Sequence, residues 1–350
     1  MMKSDWRQQL DESITTPEQL AGHMDMDPRP LRAVVKRYPM RITPYYLSLV
    51  LAHGNTLYRQ VIPSPEELDD KVNMADPSGE TPSSPVSRLI HRYPDRVVIL
   101  ATGSCASYCR HCMRKRLVGK NVPGAENPPL DLDPILRYLY DHREINDVIL
   151  SGGDPLMLGT DDLDAILYPI TRIPHVDIVR IHTRIPATLP QRITENLVRT
   201  LQSRSPLFVN IQFNHPAELS PEAIAACTRL ADAGIPLGSQ TVLLKGINDR
   251  PDILKSLFKG LLRGRIKPYY LHHPDPVKGT NHFRPSVDEG LKILQALRGH
   301  ISGMCLPHYM IDLPDGGGKI PILPPYIRNV DDHGLTVINY KGDVHIYPTI

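Results

Sequence analysis

Surplus charge, paired cysteines and long apolar runs are all scarce in this chain of 350 residues, and each scarcity excludes something. Lys and Arg number 40 against 38 Asp and Glu, a formal net charge of +2. So even a balance lacks the basic footprint of a nucleic-acid-binding protein. Only five cysteines occur, and three of them crowd into one short stretch, which is not the framework of a disulfide-stapled scaffold. No apolar run approaches the ~20 residues that a membrane span needs. The N-terminus has no basic segment leading into an apolar core, so no signal peptide is expected. Internal repeats and low-complexity tracts are missing as well. These absences point to a cytoplasmic protein, where thiols stay reduced. What is present is 41% apolar residues and 35 prolines, the composition of a globular chain with a sizeable core and many firm turns.

Residues 1–85 read as a helical N-terminal region. Thr16-Pro17-Glu18-Gln19, Thr43-Pro44 and Ser64-Pro65-Glu66-Glu67 each combine a capping side chain with proline at the first helical position. Residues 76–85, rich in Pro and Ser, read as a linker or extended loop. From residue 96 onward, short apolar segments at 97–101, 147–151, 176–182, 207–213, 236–243 and 266–271 alternate with helical patterns near 131–142, 160–172, 190–203, 220–233 and 250–262. That rhythm predicts an α/β core with a parallel sheet and outer helices. Rhythm alone leaves a barrel and an open doubly wound sheet both available. In either, functional groups gather at the carboxyl ends of the strands.

The most informative stretch follows the first of these strands: Cys105-Ala106-Ser107-Tyr108-Cys109-Arg110-His111-Cys112, then the basic Met113-Arg114-Lys115-Arg116. Clustered thiolates are soft ligands. A structural zinc site takes four ligands, and an iron–sulfur cubane commonly takes four cysteines. Three cysteines would leave one iron of a four-iron cluster open to a small molecule. Further on, Ser151-Gly152-Gly153-Asp154-Pro155 ends the second strand. Its glycines permit close backbone approach to a ligand and offer N–H and C=O groups, although a plain turn has the same composition. Gln212 and Gln240 lie on the fourth and fifth strands. Asp312-Leu313-Pro314-Asp315-Gly316-Gly317-Gly318-Lys319 presents a lysine on an open glycine loop. Lysine forms Schiff bases with carbonyl cofactors. No P-loop is expected, because Ile320-Pro321 replace the Ser/Thr and the helix that a P-loop requires.

The pattern C-x3-C-x2-C after a strand, extended here as Cys-x-x-Tyr-Cys-Arg-His-Cys-x-Arg-x-Arg, resembles the lysine 2,3-aminomutase family of radical S-adenosylmethionine (SAM), pyridoxal phosphate (PLP)-dependent enzymes. His91-Arg92-Tyr93-Pro94-Asp95-Arg96 and the glycine–lysine loop resemble the same family, and the likeness runs from about Asp5 to about Tyr347. The resemblance implies a partial (β/α)6 radical-SAM barrel over residues 86–310. It implies a C-terminal segment, 311–350, that carries the PLP lysine. It also implies a [4Fe–4S] cluster on Cys105, Cys109 and Cys112, and SAM held near Gly152, Gly153, Asp154, Gln212 and Gln240. Lys319 becomes the Schiff-base lysine, with Arg92, Tyr93 and Arg96 holding PLP. Arg114 becomes the grip on the substrate carboxylate, and Asp275 and Asp312 the partners of a cationic side chain.

The implied activity is transfer of the α-amino group of L-lysine to Cβ, giving β-lysine. The implied reductant is a carrier such as flavodoxin or ferredoxin, and the chain is compatible with a homo-oligomer. Glutamate or arginine as substrate, β-lysine supply for elongation-factor modification, and a non-catalytic iron–sulfur or zinc-binding module remain alternatives. The sequence departs from the family at Asp315, where a glycine is usual, at His272, where tyrosine is frequent, and in the prolines flanking Asp275. The C-terminal zinc cysteines of better-known relatives are missing, so no structural zinc is expected. Cys227 and Cys305 read as buried structural thiols.

Overall fold

A computed structural model describes residues 5–119, 130–332 and 334–348. Five helices open the described chain: α1 (Trp6–Asp11), α2 (Pro17–Ala21), α3 (Arg29–Arg37), α4 (Pro44–His53) and α5 (Asn55–Val61). The caps anticipated from sequence are in place. Thr16 accepts from the Gln19 amide in a full capping box, and Thr43 accepts from the Tyr46 amide. Ser64 opens only one 3-10 turn, Pro65–Glu67, because the stretch turns inward and buries the Glu67 carboxylate. These helices share a small apolar core of their own, including Leu20, Ile42, Tyr46, Leu57 and Val61.

A nine-stranded sheet follows, and its spatial order is the chain order: β1 (Leu89–Tyr93), β2 (Arg96–Thr102), β3 (Asp147–Gly152), β4 (Ile178–Thr183), β5 (Leu207–Ile211), β6 (Leu237–Val242), β7 (Lys267–His272), β8 (His308–Leu313) and β9 (Gly318–Pro321). Strands β2 to β8 pair in parallel, and β1 and β9 pair antiparallel at the two edges. Each crossover carries helix: α6 (Asp133–Asp141), α7 (Thr160–Ile170), α8 (Ile185–Thr188) with α9 (Glu195–Gln202), α10 (Pro221–Asp232), α11 (Pro251–Arg263) and α12 (Val287–Leu297). Parallel strands require such crossovers, and wrapping them in one direction curls the sheet into a nearly closed barrel.

One continuous apolar core lies between sheet and helices, and Cys227 and Cys305 are buried in it. Alternation along the strands separates its two faces. In β4, Val179 and Ile181 join that core, whereas His182 lines the barrel interior. The α/β partial-barrel expectation holds, with β8 as a further parallel strand. The boundary drawn at residue 310 falls inside β8, so the lysine-bearing segment belongs to the same sheet as the core. The final segment forms a separate three-stranded antiparallel sheet of β10 (Ile327–Asp331), β11 (Gly334–Ile338) and β12 (Val344–Tyr347).

Candidate active site

The interior of the barrel holds one large chamber, walled by strand ends and the loops that leave them. Cys105, Cys109 and Cys112, from the loop after β2, line it together and form no disulfide. Burial, reinforced by Asp154 and the two other thiols, pushes the Cys105 thiol well above its ordinary value, and burial, reinforced by Cys109, pushes the Cys112 thiol up to about 11. Such thiols ionise when a metal centre supplies the opposing charge. Among the described residues, no three His, Cys, Asp or Glu side chains converge as ligands of a single ion. Thiolates on separate corners of an iron–sulfur cluster do not have to converge in that way, and three soft donors facing one chamber fit such a group.

The loop is held by Arg110, read from sequence as part of the cysteine motif, and by Lys115, read only as part of a basic run. Arg110 and Lys115 both pair with the Glu67 carboxylate, at 2.5 and 2.6 Å, with all three side chains at most 5% exposed. Arg110 also donates to the Pro39 and Tyr38 carbonyls, and Lys115 to the Gly279 carbonyl. Backbone bonds from Tyr108 to Arg41 and from Arg110 to Gln60 complete the attachment to the N-terminal helices. The sequence signal for Glu67 was its place in a capping box, which says nothing about its role as counter-charge.

The expectation of free backbone donors at Gly152-Gly153-Asp154 is corrected. The Gly153 and Asp154 amides donate to the Thr102 and Ser104 carbonyls, at 2.6 and 2.8 Å. A Cβ on Gly153 would lie 2.3 Å from the Ser104 carbonyl oxygen. These glycines are required because the cysteine loop lies directly on them. The Asp154 carboxylate accepts from the Thr183 hydroxyl and from the Arg184 and Leu156 amides. Burial raises that carboxyl to about 6, against the pull of those donors. All three residues still face the chamber, as do Gln212 and Gln240.

Lys319 reaches the chamber from β9. Its ammonium is hydrogen-bonded to Asp312, its direct partner across the β8–β9 ladder. Asp312 also accepts from Arg92 at 2.9 Å, and the Lys319 amide donates to the Tyr93 hydroxyl at 2.7 Å. Arg92 and Tyr93 lie on β1, so these contacts join the two open edges of the sheet. Arg96 sits further out. It pairs with Asp95 and stacks its guanidinium over the Tyr93 ring at 4.5 Å. Burial works to raise the Asp312 carboxyl, but Lys319 and Arg92 outweigh it and hold it below the usual range. The glycine loop is a tight hairpin. Asp315 takes φ +55 and Gly316 φ +80, and the Asp315 amide bonds to the Pro77 carbonyl. Aspartate is among the few residues that tolerate this left-handed backbone, so the departure from glycine fits the turn.

Arg114 and Asp275 complete the chamber wall. The Arg114 guanidinium is oriented by Glu80 at 2.8 Å and Ser151 at 3.0 Å. Burial lifts the Asp275 carboxyl to about 6, the Asp312 charge adds to that, and Lys319 and Arg92 oppose it. The neighbouring His272 is pushed down to about 3 by burial and by Lys319. Glu80, within the stretch expected to be a plain loop, went unnoticed in the sequence as a positioning residue.

A parallel-stranded barrel with three cysteines just beyond its first parallel strand fits the radical SAM superfamily, the class that the sequence resemblance implies. Residues 99–257 match the model of that superfamily, and residues 294–349 match a model described as lysine-2,3-aminomutase. The L-lysine 2,3-aminomutases of Methanococcus maripaludis and Clostridium subterminale are each 40% identical to this chain over 98% of its length, covering 81% and 84% of theirs. The glutamate 2,3-aminomutase of Clostridioides difficile is also 40% identical, over 98% of this chain and 82% of its own. The chain belongs to the lysine 2,3-aminomutase family and is an isomerase with aminomutase chemistry. The superfamily works with a [4Fe–4S] cluster and SAM, and lysine 2,3-aminomutases are PLP-dependent.

Proposed function

We propose that this protein moves the α-amino group of L-lysine to Cβ, giving β-lysine, with a [4Fe–4S] cluster, SAM and PLP in the one chamber. The observation that carries the substrate choice is the pair of carboxylates beside Lys319. Asp312 is already shared by Lys319 and Arg92, whereas Asp275 has no ion-pair partner among the described residues and faces the chamber. A cationic side chain satisfies Asp275, and the carboxylate of glutamate would be repelled by it.

Cys105, Cys109 and Cys112 would hold the cluster, with Gly152, Gly153, Asp154, Gln212 and Gln240 around SAM. Lys319 would carry PLP, with Arg92, Tyr93 and Arg96 gathered behind it. When bound, the cluster and SAM supply a carbon-centred radical, and PLP supplies the conjugation that lets nitrogen migrate. The protein's own residues orient and enclose. Arg114, fixed by Glu80 and Ser151, presents a planar fork to the substrate carboxylate. Asp275 holds the far end, and the barrel wall keeps bulk water away. Reduction calls for an external one-electron carrier such as flavodoxin or ferredoxin, and such chemistry suits the reducing cytoplasm.

The test is anaerobic. The reconstituted protein is given SAM, PLP and reductant with L-lysine, L-glutamate or L-arginine separately, and β-amino products are separated by mass-resolved chromatography. β-Lysine as the dominant product is the expected result. A dominant β-glutamate or β-arginine would overturn the substrate reading.

A further inference from the structure

Arg184 closes β4 and opens α8, and the reading so far gives it no function. Its Nη1 donates to the Cys109 sulfur at 2.6 Å. Nη2 is fully occupied inside the protein, whereas the buried Nε finds no hydrogen-bond partner among the described residues. Nη2 donates to the Tyr46 hydroxyl at 3.1 Å, to Gln60 Oε1 at 2.7 Å and to Glu218 Oε1 at 2.5 Å. Tyr46 in turn donates to the same Glu218 oxygen. The Arg184 amide is tied to Asp154. The Arg184 side chain is 6% exposed and that of Glu218 is 0%. A buried charge this constrained cannot relax when its neighbours change.

The pair is oriented. Its positive end touches the thiol, and its negative end lies on the far side, against the N-terminal helices. Reduction adds one negative charge to an iron–sulfur cluster. A hydrogen bond from a cation to a ligand sulfur stabilises that added charge, which is one of the levers that set cluster potentials. The low-dielectric surroundings keep the effect from being screened.

We infer that Arg184 is a positioning residue that raises the reduction potential of the cluster through its hydrogen bond to the Cys109 sulfur, with Glu218 as the counter-charge that limits the rise. The inference rests on the cluster reading of Cys105, Cys109 and Cys112. It also gives the N-terminal helices a part in the redox step, because Tyr46 on α4 and Gln60 on α5 hold the guanidinium in line.

The experiment uses the full chain, reconstituted anaerobically with iron and sulfide and without SAM. Iron per chain and visible absorption report cluster content. An electron-paramagnetic-resonance redox titration reports the midpoint potential. R184Q is expected to shift the potential negative, with the reduced-to-oxidised ratio at a fixed solution potential falling about tenfold, or about 59 mV for one electron. E218Q is expected to shift it positive, because the guanidinium loses its counter-charge. R184K, which keeps the charge, is expected to fall between R184Q and the unaltered protein. A purely structural role would lower iron content without opposite shifts in the two variants. R184Q with a full cluster and an unmoved potential would overturn the inference, as would shifts of the same sign. Should R184Q fail to hold iron, E218Q decides alone, and the absence of a positive shift overturns the proposal. An unaltered chain that takes up no iron fails the cluster reading itself, and the inference falls with it.

Discussion

Lys319 and Asp312 face each other as direct partners across the antiparallel β8–β9 pair, and their side chains meet in an ion pair at the edge of the chamber. Strand register alone brings the two together, so the lysine is aimed before any cofactor arrives. Lys319→Ala is expected to lose PLP on dialysis and to lower β-amino-acid formation at least about 100-fold, the scale of a lost positioning contact. The visible PLP absorption of the dialysed protein checks the first effect and product chromatography the second. Retained absorption with full turnover would reject the role given to Lys319.

Glu67 neutralises two buried cations behind the cysteine loop. Glu67→Gln leaves Arg110 and Lys115 without a counter-charge, at a cost of about 3–5 kcal/mol for a broken buried network. Thermal unfolding of the full chain should show an earlier transition, and iron uptake should fall with it. An unchanged melting curve would mean that water reaches these groups and the network contributes little.

The contact between Gly153 and Ser104 gives a sharper steric test. Gly153→Ala would drive a Cβ into the Ser104 carbonyl, and no flexible side chain is there to move aside. Iron per chain should drop, because the loop that carries Cys105 is displaced. Gly303→Ala, where a Cβ meets nothing within 4 Å, serves as the control and should load normally.

Substrate affinity should depend on pH through Asp275. Its carboxyl, raised to about 6 by burial and by Asp312, is charged above that pH and neutral below it. Only the charged form attracts a cationic side chain, so affinity is present above pH 6 and lost as pH falls. The apparent KM for L-lysine is expected to rise below pH 6, approaching about tenfold per pH unit. Asp275→Asn should raise KM at neutral pH and flatten the profile. A profile for Asp275→Asn that still bends near pH 6 would assign the titration to another group.

The barrel core was legible because its strands are short apolar runs buried against helices, and the boundaries fall within a few residues of those read from the chain. The edges were not. β1 reads Leu-Ile-His-Arg-Tyr and buries only its first two residues, so it resembles a polar lead-in. β8 and β9 were hidden by the glycines between them, which mark a hairpin as readily as an open loop. α12 was overlooked although Ser286 and Glu289 form a capping box that the sequence displays. At the site, the cysteines and Lys319 stood out through motif spacing. Glu67, Glu80 and Glu218 did not, because each acts through a partner remote in sequence, and nothing local marks a carboxylate as buried. Conversely, Gly152 and Gly153 were rightly seen as places of close approach, but what approaches them in this structure is the chain's own backbone.

The contacts between β1 and the last two strands bear on how the molecule is made. Arg92 meets Asp312 and Tyr93 meets Lys319 across separations of 220 and 226 residues. At ribosomal speeds of about 5–20 residues per second, roughly 10–45 s pass between synthesis of one partner and the other. The cysteine loop and the helices that brace it have emerged long before then. A nascent chain halted before residue 308 therefore carries the three cysteines that would hold the cluster and lacks both Asp312 and the lysine that would engage PLP. Translation order would separate the two halves of the chemistry in time, and synthesis of β8 and β9 would decide when they become one catalyst.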